Sequence, residues 1–417
     1  MTDIATLEEV RAMRGKDEQL APDVIKIGRV LPVAGPSGVV ITREGVVVVD
    51  TGMPKGGPDR VRRIRERTDA PFHTIIYSHG HGDHAGGVHA FLEDAEMRGH
   101  PRPRIVAHEL VPKRFDKYRM LAGRRRYISS LQFPDPEMAA ARSRQSDGPE
   151  WAPYVYPDTT FSHYMEFRLG DLTFELHHAP AETDDTIWVW VPERKLAMIG
   201  DLLIGGCPNT GNPLKEQRYT LEWAEALEKI ADKGPDFIIA GLGVLRGSLA
   251  RERCLKTARF LRYIHDEVIR LLNEQYWIED ILAQVTVPPE MADDPWLAGN
   301  YGHPVFVIHD VYRRYTGWYD GNPSELFPSR SSEIAAEVAK LAGAGQILER
   351  VRQLQREGST QLALHLVDFA LKGADEPSIQ QEAELLKADL LSKRADEVPN
   401  FIAGNITRSS AAKLRQQ

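Results

Sequence analysis

The sequence predicts an α/β fold followed by an all-α region, and three observations carry that expectation. Two β-branched runs in SGVVITREGVVVVDTG (37–52) meet across Arg43-Glu44-Gly45, a hairpin whose second strand is apolar on both faces and therefore central. An apolar strand, FHTIIYSHG (72–80), stops where a run of histidines begins. From about residue 248 nearly everything reads as helix, and 417 residues exceed one ordinary core, so two domains are expected.

The elements follow in order. Residues 59–68 read as a short basic helix between the first hairpin and the strand at 72–80. A further strand, RIVAH (104–108), precedes a long Arg- and Pro-containing insertion reaching about residue 160. Two hairpins come next, one turning at Gly170-Asp171 and one at Pro192-Glu193-Arg194, the second ending in AMIGD. After a helix over 221–232 comes the strand DFIIAGLG (236–243). The helical part contains HPVFVIHDVYRRYTGWYDGNP (303–323) and helical segments near 331–342, 346–357, 359–372 and 375–393. From Arg394 the chain is polar and is expected to fray. The aromatic stretches WAPYVYPDTTF (151–161) and NEQYWIEDI (273–281) suit either an apolar pocket or a core.

Composition excludes several classes. With 42% hydrophobic and 27% charged residues the chain is globular, and 52 basic against 60 acidic side chains leave a net charge of −8. That balance gives no electrostatic reason to expect nucleic acid or an anionic membrane as partner. The opening residues are too charged for a signal peptide and no apolar run spans a bilayer, so a cytoplasmic location is expected. Cys207 and Cys254 are the only cysteines, which leaves His, Asp and Glu to hold any metal.

The stretch SHGHGDHAGG (78–87) carries the chemistry. His79 and His81 alternate along an extended loop, so both imidazoles can face one ion, while Asp83 and His84, further round the turn, can face a second. Neutral imidazole and carboxylate oxygen suit Zn2+, or Mn2+ or Fe2+. Four ligand-type residues in this order directly after a buried strand are hard to reconcile with a plain polar surface loop.

Through H-x-H-x-D-H at 79–84, VVVVDTG before it, HHAPAETDD at 177–185 and MIGD at 198–201, the sequence resembles the metallo-β-lactamase superfamily. The resemblance implies a four-layer αβ/βα sandwich with the site on the rim between its sheets. It makes Asp50 an orienting residue, Asp201 the carboxylate shared by two metals, and Glu182 a ligand where many members have a third histidine. More narrowly the chain resembles alkylsulfatases, through RRRYISSLQF (124–133), that glutamate, and YRRYTGWYDGNP from Tyr312 to Pro323. This implies a metallo-β-lactamase-like catalytic domain at 1–275 and a helical dimerisation domain at 276–417, hence a homodimer acting on a small-molecule substrate. The sterol-carrier-like domain that many alkylsulfatases carry does not follow, which implies a smaller or more soluble substrate.

By this register the first metal site keeps His79, His81, Glu182 and a share of Asp201, and the second keeps Asp83, His84 and Asp201. The position of a last second-site histidine falls in the turn Gly241-Leu242-Gly243, on Leu242, so one ion or two are open, with His303, His309 or His265 as possible substitute ligands. Counting back from Trp223 puts Asn209 at the asparagine that alkylsulfatases use for sulfate, but Pro213 at the arginine, with Lys215 or Arg218 as replacements. A metal lowers the pKa of its bound water from about 15.7 toward roughly 7, and Asp83 or Asp201 is the expected general base. Three readings remain: an alkyl sulfate ester hydrolase, a metallo-hydrolase of another ester, lactone or phosphoester, and a dimeric binding protein with a decayed site.

Overall fold

The structure is a computed structural model that describes residues 6–29, 35–134 and 154–416. Helix α1 (Leu7–Ala12) opens on a capping box in which Thr6 and Glu9 satisfy each other's backbone amides. The first sheet then builds in sequence order from β1 (Glu18–Ala21), β2 (Val24–Ile27), β3 (Ser37–Thr42), β4 (Gly45–Val49), β5 (Phe72–Ile76), β6 (Arg104–His108) and β7 (Thr159–Phe161). Pairing is antiparallel up to β4 and parallel from β4 onward, because helices bridge the later strands: α2 (Gly57–Arg65), α3 (Gly82–Ala85), α4 (Val88–Met97) and α5 (Val111–Met120). The region read as an insertion thus begins with α5 and continues into α6 (Ala122–Gln132).

The second sheet has the order β13-β12-β11-β10-β9-β8, from β8 (Tyr164–Leu169), β9 (Leu172–His178), β10 (Ile187–Val191), β11 (Leu196–Met198), β12 (Phe237–Ala240) and β13 (Gly243–Arg246). Both expected hairpins are there. Only the β11–β12 pair is parallel, since α7 (Thr220–Asp232) crosses over between them. Helices α8 (Gly247–Asn273), α9 (Ile278–Gln284), α10 (Pro289–Ala292) and α11 (Pro304–Tyr315) follow.

Period-two alternation builds the layers. Val46 and Val48 of β4 pack with Val61 and Ile64 of α2 and Phe91 of α4, whereas Val47 and Val49 meet Leu176, Ile187 and Val189 of the other sheet. On the far side, Trp188 and Trp190 of β10 join Trp223 and Leu227 of α7, Ile264 of α8 and Val307 of α11. The result is helix, sheet, sheet, helix, the four-layer αβ/βα sandwich. Met1–Ala122 with Gln145–Thr316 form one compact unit, so α8 to α11 belong with the sandwich although their sequence is all helical.

Gly123–Arg144 with Gly317–Gln417 form the other unit. Its helices are α6, α12 (Ser331–Ala342), α13 (Ala344–Arg356), α14 (Thr360–Gly373), α15 (Pro377–Glu397) and α16 (Phe401–Leu414), around a core of Leu348, Val351, Val367 and Leu390. The fraying expected from Arg394 does not occur. The Asn400 side chain caps α16 by accepting from Ala403 N at 3.0 Å, Ile402 is buried, and Asn405 Nδ2 donates to Gln132 O at 2.8 Å. No helix is long and apolar enough to cross a membrane among the described residues.

Candidate metal centre

Strand direction brings the site together. β4 and β5 are parallel, so Asp50 and the histidine loop leave the same edge of the first sheet. Ile187 N at the start of β10 donates to Ser78 O at 2.8 Å, which sets the Glu182 loop beside them. β11 runs antiparallel to β10 and parallel to β12, so Asp201 and Gly241 arrive at that rim as well.

Asp50 sits in the left-handed region, φ +64°. Its Oδ1 accepts from Ser78 N at 2.8 Å, and its Oδ2 accepts from Ser78 Oγ at 2.7 Å and lies 2.7 Å from His84 Nδ1. That pairing fixes the His84 proton on Nδ1 and turns Nε2 toward the site. Nε2 is buried with no hydrogen-bond partner, 3.4 Å from Asp201 Oδ2 and 3.7 Å from Asp83 Oδ2. An orphaned imidazole nitrogen walled by two carboxylates is satisfied by a cation, so the donor set fits a metal ion.

Among the described residues, two groups have ligand atoms within 4.8 Å of one another, His79 with His81 and Glu182, and His79 with His84 and Asp201. His79 therefore stands in both. Asp83 reaches the second group only through His84. Burial pushes His79 down to about 3, and burial with the neighbouring His79 holds His81 well below its usual value, so both rings are neutral and ready to coordinate. Burial pushes Glu182 up to about 8 against the pull of Arg218; burial also opposes the Asp201 charge, but His84 and His79 hold that carboxyl well below the usual range.

Leu242 is not the residue that faces this site. Alternation carried on from β12 sends Ala240 and Leu242 into the core shared with α7 and α8, while Ile239 lies between the sheets. The rim position is Gly241, where a Cβ would collide with Asp201 Oδ1. The histidines of the helical region do not substitute: His303 caps α11 by accepting from Val305 N at 3.2 Å, His265 bonds Tyr315 and Asp266, and His309 is exposed.

Among the anion-binding candidates, Arg218 is buried and donates from Nη1 to Glu182 Oε1 at 2.8 Å and to Asn209 O at 2.6 Å. Asn209 is buried with neither side-chain nitrogen nor oxygen bonded. Lys215 is exposed, and with Arg218 and Arg114 its charge bears on His81. Pro213 is exposed. The described aromatics of 151–161 are mainly packing: Tyr154 and Tyr156 lie against Phe115, with centroids 4.3 and 5.6 Å away, and Trp151 falls outside the described residues. Tyr276 and Trp277 are surface residues.

Sequence reasoning missed Arg114 and Asp185. Asp185, fully buried, accepts from Gly80 N at 3.2 Å and from Arg114 Nε at 2.9 Å, while Arg114 also pairs with Asp184 and donates to Tyr118 OH at 3.1 Å. One guanidinium from α5 thereby ties the histidine loop to the Glu182 loop. Tyr118 stacks near His81 at 6.4 Å between centroids. The double aspartate after Glu182 was the available signal.

A four-layer sandwich with His and carboxylate groups on the rim between its sheets defines a metal-binding class, and residues 30–241 match the metallo-beta-lactamase superfamily family description. The chain belongs to that superfamily. Residues 277–417 match the alkyl sulfatase dimerisation family. The chain is 24% identical to a linear primary-alkylsulfatase of Pseudomonas sp. over 79% of this chain and 65% of the relative. It is also 24% identical to an alkyl/aryl-sulfatase of Saccharomyces cerevisiae over 84% of this chain and 56% of that one. The chain thus spans less than two thirds of these relatives' own length. Its fold is similar to that of the stereoselective inverting sec-alkylsulfatase of Pseudomonas sp., with a TM-score of 0.81 at 20% identity, covering 98% of this chain and 67% of that one.

Proposed function

We propose that the chain is a metal-dependent hydrolase that cleaves a sulfate ester of an alkyl chain and works as a homodimer. The observation that carries it is the His79, His81 and Glu182 cluster set beside buried Arg218 and the unbonded Asn209, a cation site next to groups that can receive an anion. Zn2+ suits the donors best, with Mn2+ or Fe2+ as alternatives that also take imidazole and carboxylate ligands. When bound, the metal supplies Lewis acidity and a water acidic enough to attack near neutral pH.

The chain's own residues do the rest. His79, His81 and Glu182 hold the first ion; His84 and Asp201, with Asp83, offer a second. Asp83, whose side chain is 30% exposed, or Asp201 takes the water's proton. Arg218, Lys215 and Asn209 receive the sulfate. The curated relatives named alkylsulfatases support that substrate class. A carboxylic ester, lactone or phosphoester remains a second reading, since Arg218 Nη1 is already committed to Glu182 and Asn209 O.

The test is metal content per chain together with turnover of a short alkyl sulfate, a carboxylic ester and a phosphate monoester. Sulfate release dependent on bound metal supports the first reading; turnover of only another ester replaces it with the second. His81→Ala removes a direct ligand, and since loss of even an outer partner costs about 10–100-fold, it is expected to lower hydrolysis by more than about a hundredfold.

A further inference from the structure

Asp310 lies on α11, 4% exposed, and belongs to no metal group. Among the described residues it has no ion-pair partner. Its polar contacts converge on one segment: Oδ1 and Oδ2 accept from Arg218 N at 3.0 and 3.1 Å, an amide shared with Thr210 O at 2.8 Å, and Oδ2 lies 3.4 Å from Thr220 Oγ1. Gly211, at φ +143°, passes so close that a Cβ there would stand 2.6 Å from Oδ1 and 3.3 Å from Glu216 O. Burying a carboxylate without a cation is costly, and an apolar residue would serve the packing of α11 better.

What the carboxylate does hold is the backbone of Arg218. The same residue's guanidinium reaches Glu182 Oε1 and Asn209 O. We propose that Asp310 is a positioning residue that fixes the 209–220 segment so that Arg218 and Asn209 stand beside Glu182 in register for an anionic substrate. This rests on the reading that the site hydrolyses an anionic ester. Asp310 touches neither substrate nor metal; it acts through Arg218.

The test uses the metal-loaded full chain with Asp310→Ala, Asp310→Asn and Gly211→Ala. Asp310→Ala leaves the Arg218 amide only its bond to Thr210 O and takes the acceptor from the Thr220 hydroxyl, so it is expected to raise amide exchange over 209–220 and to raise KM for a short alkyl sulfate, and Ki for inorganic sulfate, about tenfold or more. Turnover at saturation should stay within about threefold of the parent. Asp310→Asn keeps one acceptor oxygen and should restore both readouts to within about twofold. Gly211→Ala, which drives the segment off the carboxylate, should reproduce the Asp310→Ala pattern and decides the matter if Asp310→Ala fails to fold. Unchanged exchange at 209–220, or an unfolding temperature that falls with KM and Ki unmoved, overturns the proposal. If the parent cleaves no ester, the functional reading fails separately, while exchange at 209–220 and the Kd for inorganic sulfate, measured by calorimetry, still decide the role of Asp310.

Discussion

Leu242 and Gly241 show how far a single residue of register matters at a site. The turn Gly241-Leu242-Gly243 does reach the rim beside Asp201, but through Gly241 rather than Leu242. Along β12 the side chains alternate, so Leu242 joins Trp223 and Ile230 in the helix-covered core while Gly241 abuts Asp201. Leu242→His therefore does not complete a metal site. It is expected to bury an imidazole among apolar side chains, to cost at least about 2 kcal/mol in denaturant unfolding, and to leave metal content as in the parent. A gain of a metal equivalent in that variant would restore the original register. His79, His81, Glu182 and Asp201 were readable because their residue types are chemically marked. Arg114 and Asp310 were not, since a lone charged residue on an amphipathic helix looks the same whether it faces solvent or a buried loop.

Elements, more than individual ligands, hold this site in shape. Helix α5 was legible only as part of an insertion, because Arg and Lys mask its apolar stripe, yet it supplies the guanidinium that joins two loops. Arg114→Met is expected to leave Asp185 buried and unpaired and to cost about 3–5 kcal/mol, with Asp185→Asn in the same chain recovering part of the loss in urea unfolding. Helix α11 adds a pH dependence. Burial pushes Asp310 up to about 8, opposed by its bond to the Arg218 amide, by the Arg218 guanidinium and by the Thr220 and Thr210 hydroxyls. A carboxyl raised on folding favours the protonated state, so its contribution is full below about pH 4 and is lost as pH rises through about 8. The stability of the parent relative to Asp310→Asn should thus decline between pH 5.5 and 8.5 in matched denaturation series; a constant difference would count against the raised value.

At the scale of the whole chain, strands β3 to β6 and β8 to β12 were readable from β-branched runs and turns and the helical half from its periodicity, whereas β1, β2, β7 and β13, each of three or four residues, were not read. Helices α9 to α11 fall within the 277–417 family match yet pack with the sandwich through Ile281, Met291, Val307 and Ile308, which helical periodicity alone does not distinguish. The polar C-terminal helix escaped notice because its support beyond the local Asn400 cap, the bond from Asn405 to Gln132 and the burial of Ile402, is tertiary. Residues 317–417 also expose Trp318, Phe327 and Leu341, the last two by 95% and 89%. With the dimerisation match over 277–417, these are expected to be covered in a homodimer. Light scattering should return about twice the 46.9 kDa chain mass, and Phe327→Asp with Leu341→Asp should halve it.

The left-handed backbone of Asp50 ties stability to ligand in an unexpected direction. Asparagine tolerates that conformation at least as well as aspartate, and its carbonyl can still accept from Ser78 N, but its amide nitrogen replaces the oxygen that takes the Ser78 hydroxyl and faces His84 Nδ1. A His84 that must present Nε2 to a cation needs that anion behind it as well. Asp50→Asn should therefore melt somewhat below the parent when stripped by a chelator, for the lost acceptor, and fall further behind as metal is added, because the parent alone gains the full mass-action stabilisation. The size of that divergence, read from paired thermal melts across a metal titration, measures how much of this protein's robustness in use is borrowed from its ion. Equal gains in both proteins would mean that the aspartate serves the loop and not the ligand.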